Sequence, residues 1–415
     1  MKRISIIMAA AAFVFGAHPA SADWLQWRGP GGLGVTTEKA PITWSAKDNI
    51  AWKHAMPGAG GSCPIIMGDR VFITCYSGYG VEKNAGDQKS LKRHLICVDR
   101  KSGKPMWTRD FPAPLPEPQY SGYQALHGYA SNTPISDGKL IWIFLGRDGV
   151  YCYDLEGNQK WHKSVGNGTH GWGSGTSLVL HNDKVIVNAS VESGSLIAFN
   201  KNTGEQVWAS KTMRSSWNTP VLVKLANGST ELAVATNPIM YGFDPDTGNE
   251  LWRATTYNWY VCPSLVANDG VVYGLQHSIC VAVKAGGKGD VTDSNVLWKK
   301  NFGHVVSSPI YYKGHVYFCS QGTAYCVDAA DGTALYKERL KGANGDFYAS
   351  PIVADGKIYY VSRNHGAFVV EAGAKFKQLA HNTLTPDTSV FNATPSVSGS
   401  QLFLRSDRFL YCIGK

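Results

Sequence analysis

The chain has 415 residues with 40 Lys and Arg against 31 Asp and Glu. This basic excess is scattered, with no run of five like charges, which argues against a nucleic-acid groove built from clustered cations. No apolar stretch reaches the about 20 residues of a membrane-spanning helix, and no Cys-x-x-Cys-His site is present for haem.

The chain opens Met1-Lys2-Arg3, runs apolar from Ile4 to Ala17 and reads Ala20-Ser21-Ala22 before Asp23. A basic start, a short apolar run and a small-residue site predict a cleaved signal peptide over residues 1–22. No cysteine follows that site, so a lipid anchor is not expected. Residues 23–415 are expected to be periplasmic or secreted, monomeric and without a transmembrane segment. Without Lys2 and Arg3 they hold 38 basic and 31 acidic residues, a formal charge of +7.

Length alone allows two or three domains, but self-similarity predicts one. A short triplet, usually ending in Pro, recurs with its third residue at Pro64, Pro134, Ser177, Pro220, Pro263, Pro309, Pro351 and Pro395. The spacings are 70, 43, 43, 43, 46, 42 and 44, and the long first one is assigned to a polar insertion over 76–93. After each triplet come an apolar run, a turn such as Asp137-Gly138 or Asp355-Gly356, and strands rich in β-branched and aromatic residues. Such runs punctuated by Gly and Asp predict hairpins. Eight units of about 43 residues predict an all-β chain, an eight-bladed β-propeller of four-stranded antiparallel blades.

The third turn of the unit runs from Asp99 through Gly103 to Trp107, from Asn200 through Gly204 to Trp208, and from Asp244 through Gly248 to Trp252. The leading Asp or Asn accepts backbone N–H bonds of its own turn, and the Gly takes a positive φ. The closing aromatic buries roughly 150–250 Å² and is expected to fasten one blade to the next. That docking set is Trp52, Trp107, Trp161, Trp208, Trp252, Trp298, Tyr336 and Phe376. The last unit has room for three strands only, so the segment 23–57 is expected to supply the missing outer strand around Trp52 and close the ring.

Nine cysteines leave at least one thiol unpaired. Cys97, Cys152, Cys280, Cys326 and Cys412 fall at one repeat position, read as small apolar residues of a packed inner strand.

The turns at Asp99, Asn200 and Asp244 resemble those of the quinoprotein-type repeat family, named for its pyrroloquinoline quinone (PQQ) dehydrogenases. The resemblance covers nearly all of residues 23–415. As an exported eight-bladed chain without a second domain, it is similar to BamB-type assembly scaffolds. It is more similar to exported propellers that open like Trp24-Leu25-Gln26-Trp27-Arg28-Gly29-Pro30 and share the segments 286–292 and 406–412. The dehydrogenase branch implies PQQ over the channel beside a disulfide of adjacent cysteines, with calcium and a catalytic Asp. This sequence has no adjacent cysteines and no motif that places those ligands. No cofactor is therefore expected, and PQQ with calcium is the alternative. The BamB-type branch implies protein binding, although it is lipid-anchored and this chain lacks the cysteine.

The segments leading into the blades carry binding-type side chains: His127, Tyr129, His170, Trp172, Arg214, Trp217, Asn218, Trp259, Tyr260, His304, Tyr348 and Asn392. Aromatic faces with convergent polar groups at one mouth suit a small molecule, a glycan or a peptide. A set that merely plugs the channel is the equal alternative. No Gly-x-Ser-x-Gly elbow supports hydrolysis, and the 286–290 stretch lacks the Lys-Ser/Thr of a phosphate loop. The expected function is a non-catalytic binding or scaffolding propeller of the cell envelope with a protein or polysaccharide partner. A PQQ-dependent oxidoreductase and a glycan-binding module are the alternatives.

Overall fold

The computed structural model describes residues 23–81 and 86–414; the expected signal peptide lies outside them. Eight antiparallel sheets follow one another along the chain. Blade 1 is typical: Ile65–Met67, Arg70–Ser77, Lys92–Asp99 and Pro105–Pro112 pair in sequence order. Blade 5 departs from the pattern because Val271–Lys284 carries its second and third strands in one run, with His277 at φ +52° between them. Blade 4 gains an edge strand, Gly289–Asp290, which reaches back from blade 5 and pairs in parallel with Glu250–Thr255.

The ring closes with strands from both termini. Ile50–Ala55 pairs antiparallel with Phe409–Ile413 of blade 8, placing Trp52 opposite Cys412. The segment before it crosses the channel. Trp24 exchanges two backbone bonds with Ile66 of blade 1, and Leu25 O accepts from Ser136 N of blade 2. Across the axis, the fully buried Arg28 donates to Pro309 O at 2.6 Å, and Val35–Thr36 pairs in parallel with Ile352–Ala354 of blade 7.

The third turns form as their residues dictate. Asp99 Oδ1 accepts from Ser102 N and Ser102 Oγ, which lowers the Asp99 pKa, and Asn200 Oδ1 accepts from Asn202 N and Thr203 N. Each turn also receives the tryptophan of the preceding blade. Trp52, Trp107, Trp161, Trp208 and Trp298 donate Nε1–H to Arg100, Leu155, Lys201, Pro245 and Ala329 carbonyls. Trp252 instead bonds Glu231 Oε2 at 2.7 Å, which also accepts from Gly286 N. Tyr336 packs edge-on against Phe376, with ring centroids 5.5 Å apart.

The turn glycine has a second reason to be glycine. A Cβ on Gly103, at φ +66°, would lie 2.5 Å from the Trp52 ring. Gly103→Ala is expected to cost about 2–4 kcal/mol, from left-handed backbone strain and overpacking together. Gly138→Ala is the control, because Gly138 also has positive φ but faces open space. Urea denaturation of both variants separates the two contributions, and equal losses would contradict the packing argument.

All nine cysteines are free thiols, eight of them buried. Cys97, Cys152, Cys326 and Cys412 stand across the sheet from the docking aromatics Trp107, Trp161, Tyr336 and Trp52. They lie on third strands, not inner ones, and a small residue there leaves room for the ring. Cys280 is out of this set: it faces Lys300, and Ala282 stands across from Trp298. The insertion is likewise redistributed. Tyr76 and Arg93 belong to strands, and the long first spacing is shared with the connection from Ala113 to Gly128, which contains the short helix Gln124–His127.

Candidate functional site

The innermost strands open with a residue whose side chain links neighbouring blades. Cys63 N donates to Thr133 Oγ1, Thr133 N to Ser177 Oγ, Ser177 N to Thr219 Oγ1 and Thr219 N to Ser264 Oγ. Ser264 N donates to Ser308 Oγ, Ser308 N to Ser350 Oγ and Ser350 N to Thr394 Oγ1. All seven bonds lie between 2.8 and 3.0 Å. Thr394 closes the circle on the Cys63 sulfur, whose thiol pKa is raised by burial. Each hydroxyl thus spends an acceptor site on its neighbour's N–H, and those of Thr133 and Thr394 also bond the Cys63 thiol.

This girdle was legible only in part. Indexing the repeat on proline sets blade 3 one residue and blade 5 two residues out of step: Ser177 aligns with Thr133 rather than Pro134, and Ser264, which follows Pro263, takes the place given to Cys262. The signal available was the Ser, Thr or Cys directly before the proline, which is the girdle residue in six of the eight blades.

Above the girdle lies a cavity of about 250 Å³. Its lining includes eight of the predicted residues: His127, Trp172, Trp217, Trp259, Tyr260, His304, Tyr348 and Asn392. It also includes Tyr123, Gln276, His277 and Trp27, which sequence reasoning did not single out. Trp27 lines both this cavity and a second one of about 660 Å³ on the opposite side, so the crossing segment forms the floor between them. No Asp, Glu, Lys or Arg lines the upper cavity among the described residues.

The remaining four predicted residues lie elsewhere. Tyr129 is buried under the blade 1 insertion, edge-on to Tyr76, and donates to Pro118 O. Asn218 is fully buried and bonds both backbone groups of Ala235, so it braces the sheet. Arg214 is exposed outside the cavity lining. His170 sits behind the rim, packed on Trp172, Trp217 and Tyr260 at centroid distances of 5.6, 4.9 and 5.9 Å.

The aromatic side chains divide by exposure. Trp217 is buried, with Nε1–H donating to Gly173 O, and works as a wedge between blades. Tyr123, Trp259 and Tyr260 are 58%, 57% and 39% exposed and form an apolar rim. Tyr123 leans on Trp172 at 4.5 Å, and Tyr260 packs edge-on to it at 5.0 Å.

Burial shifts three of the imidazoles toward the neutral form. Burial lowers the His127 pKa against the opposing Trp172 carbonyl, and burial lowers that of His170. His304 is lowered by burial first and by its neighbour His277 next, with ring centroids 4.5 Å apart. Neutral His127 donates Nε2–H to Trp172 O at 2.7 Å and accepts the Ser131 hydroxyl at Nδ1. A carbonyl therefore stands where a catalytic triad needs a carboxylate. Asn392 is committed at both ends, to Arg363 Nε and Leu126 O, and Arg363 stacks over Tyr348.

Residues 39–215, 92–338 and 192–413 match, in overlapping spans, the family described as outer membrane protein assembly factor BamB. No curated protein matches the sequence significantly. Among solved structures, BamB from Moraxella catarrhalis superposes with a TM-score of 0.60 at 11% identity, over 88% of this chain and 99% of that one. Quinohemoprotein alcohol dehydrogenase from Comamonas testosteroni gives 0.53 at 12%, over 95% of this chain and 81% of that one. The C-terminal WD40 domain of Sif2 gives 0.56 at 9%, over 88% and 97%. At these identities the likeness is one of fold.

Proposed function

Because the chain belongs to the outer membrane protein assembly factor BamB family, we propose that it is a non-catalytic binding or scaffolding propeller of the cell envelope, holding a protein or polymer ligand at its funnel face. The observation that carries this reading is the exposed aromatic rim of Tyr123, Trp259 and Tyr260 over an uncharged, floored cavity. Exposed large aromatics gathered at one concave mouth are costly to leave in water and mark binding sites. An envelope location accords with the family, and no helix among the described residues is long and apolar enough to cross a membrane.

The quinoprotein alternative meets the chemistry of the lining. PQQ is a planar quinone with three carboxylates, so a site for it requires cationic side chains, and calcium requires oxygen ligands such as carboxylates. The cavity lining has no cationic side chain and no carboxylate, and the residues present do not fit the group. Titration with PQQ and calcium is expected to leave tryptophan fluorescence unchanged and to give no dye-linked alcohol oxidation.

Site-specific photo-crosslinking in an envelope extract tests the binding reading. A photoreactive residue at position 259 is expected to give a discrete adduct that Trp172→Ala abolishes. The same probe at position 224, beside the opposite cavity, is expected to give none. Adducts from position 224 alone, or insensitivity to Trp172→Ala, would overturn the assignment.

A further inference from the structure

Resting on the reading of the funnel as a binding site, we propose that its ligand is the uncharged end of a saccharide chain, stacked on the aromatic rim and hydrogen-bonded at the girdle beneath. The girdle supplies the first argument. The hydroxyls of Ser177, Thr219, Ser264, Ser308 and Ser350 all line the cavity, and each already accepts a backbone N–H. None of these five hydroxyls donates a hydrogen bond among the described residues, so blades 3 to 7 present an arc of donors to the cavity.

A matching acceptor stands in the same wall. Gln276 is 0% exposed, lines the cavity, and has Nε2 turned to Tyr260 O while Oε1 has no partner. A buried carbonyl oxygen without a donor costs about 1–3 kcal/mol, which a ligand hydroxyl would recover. A ligand that both donates and accepts satisfies the two sets together, and the hydroxyls of a sugar do both.

Charge narrows the class. The lining has no charged side chain to oppose an ion, and burying an uncompensated charge is prohibitive. Acidic or sulfated glycans are disfavoured on that ground. So is a peptide end, which would bring an ammonium or carboxylate group. Size narrows it again, because about 250 Å³ is below the roughly 300–1,000 Å³ of pockets for drug-sized ligands. One terminal unit fits, and the following units meet the rim, where Trp172, Trp259 and Tyr260 offer flat faces to the C–H face of a sugar ring.

The test is a tryptophan-fluorescence titration of the exported chain with neutral hexose and N-acetylhexosamine oligomers and with uronate or sulfated oligomers of the same length. Saturable quenching by a neutral oligomer is expected, with at least tenfold weaker affinity for its acidic counterpart. Gln276→Met keeps the side-chain volume but removes the buried acceptor. It is expected to leave the Tm unchanged or raised and to weaken binding about tenfold. Trp259→Ala is expected to do the same from the rim. Equal affinity for acidic oligomers, or unaltered binding by Gln276→Met, would overturn the proposal. No saccharide binding while crosslinks from position 259 persist would overturn the saccharide class and leave the funnel reading standing. Loss of both would remove both.

Discussion

A chain lacking residues 23–55 is expected to lose its cooperative unfolding transition and to aggregate. The deletion removes the outer strand of blade 8 and leaves the Phe409–Ile413 strand with an unpaired edge, a template for pairing with other chains. It also removes Trp52, whose ring fills the space over Gly103 of blade 1, and so opens the apolar contact between blade 8 and blade 1, leaving hydrogen bonds such as Arg405 to Ser62 O and Thr74 O to hold the junction. The crossing segment goes too, and with it Trp24, buried between blades 1 and 8, and Arg28, tied to blade 6. Trp52→Ala alone is the milder form, with an expected cost of about 3–5 kcal/mol, a large share of the about 5–15 kcal/mol by which domains are stable. Calorimetry and near-UV circular dichroism read the outcome. A monomeric truncated chain with a single sharp transition would show that closure is not what holds the ring.

The second large effect is expected at Glu192, where Glu192→Gln should stabilise the protein at pH 8 and leave it unaltered at pH 5. Glu192 lies on the short helix Ser190–Ser193 and lines a cavity of about 20 Å³, room for little more than a water molecule, with Arg93, Glu117, Gln124 and Ser174. Burial raises its pKa to about 7, against a hydrogen bond from its own backbone and one from Ser174, with Glu117 adding and Arg93 subtracting. Glu192 Oε2 and Gln124 Oε1 both lack a donor, so the carboxylic acid suits the site better than the carboxylate.

With the folded pKa above the unfolded one, the stabilising contribution is complete below about pH 4.5 and is lost as pH rises through about 7. A shift from 4.5 to about 7 corresponds to about 3 kcal/mol. The Gln variant carries no such loss, and its amide offers Gln124 a donor. Unfolding free energies of both proteins from pH 5 to pH 8 give the comparison, with the lowered histidines common to both. Parallel curves would contradict the assignment.

The architecture was legible because eight copies of one hairpin grammar repeat along the chain, and because docking aromatics and turn glycines punctuate the copies. The closing strand could be read from a deficit: blade 8 lacked an outer strand, and the sequence around Trp52 matched it. The site was less legible because sequence adjacency does not say which way a side chain points. Tyr129 and Asn218 stand beside residues that reach the cavity, yet Tyr129 packs onto blade 1 and Asn218 braces its own sheet. Trp217 has the look of a ligand-facing ring and serves as a wedge.

Other features were hidden by the way the repeat was indexed. Proline was the visible marker, and in six blades the residue before it makes the girdle, but Ser177 has no proline after it and Ser264 follows Pro263, so both fell out of register. Gln276 was hidden because blade 5 runs its two middle strands together, leaving no turn signal beside it. Trp27 carried only a resemblance until the crossing segment showed it to be a floor.

The central claim is that the funnel is a ligand site, and fluorine NMR of fluorotryptophan-labelled protein titrated with a soluble envelope fraction tests it most directly. The account predicts saturable shifts at Trp172 and Trp259, with Trp52, Trp107 and Trp161 unmoved between their blades. Saturable binding that leaves Trp172 and Trp259 unshifted would contradict it.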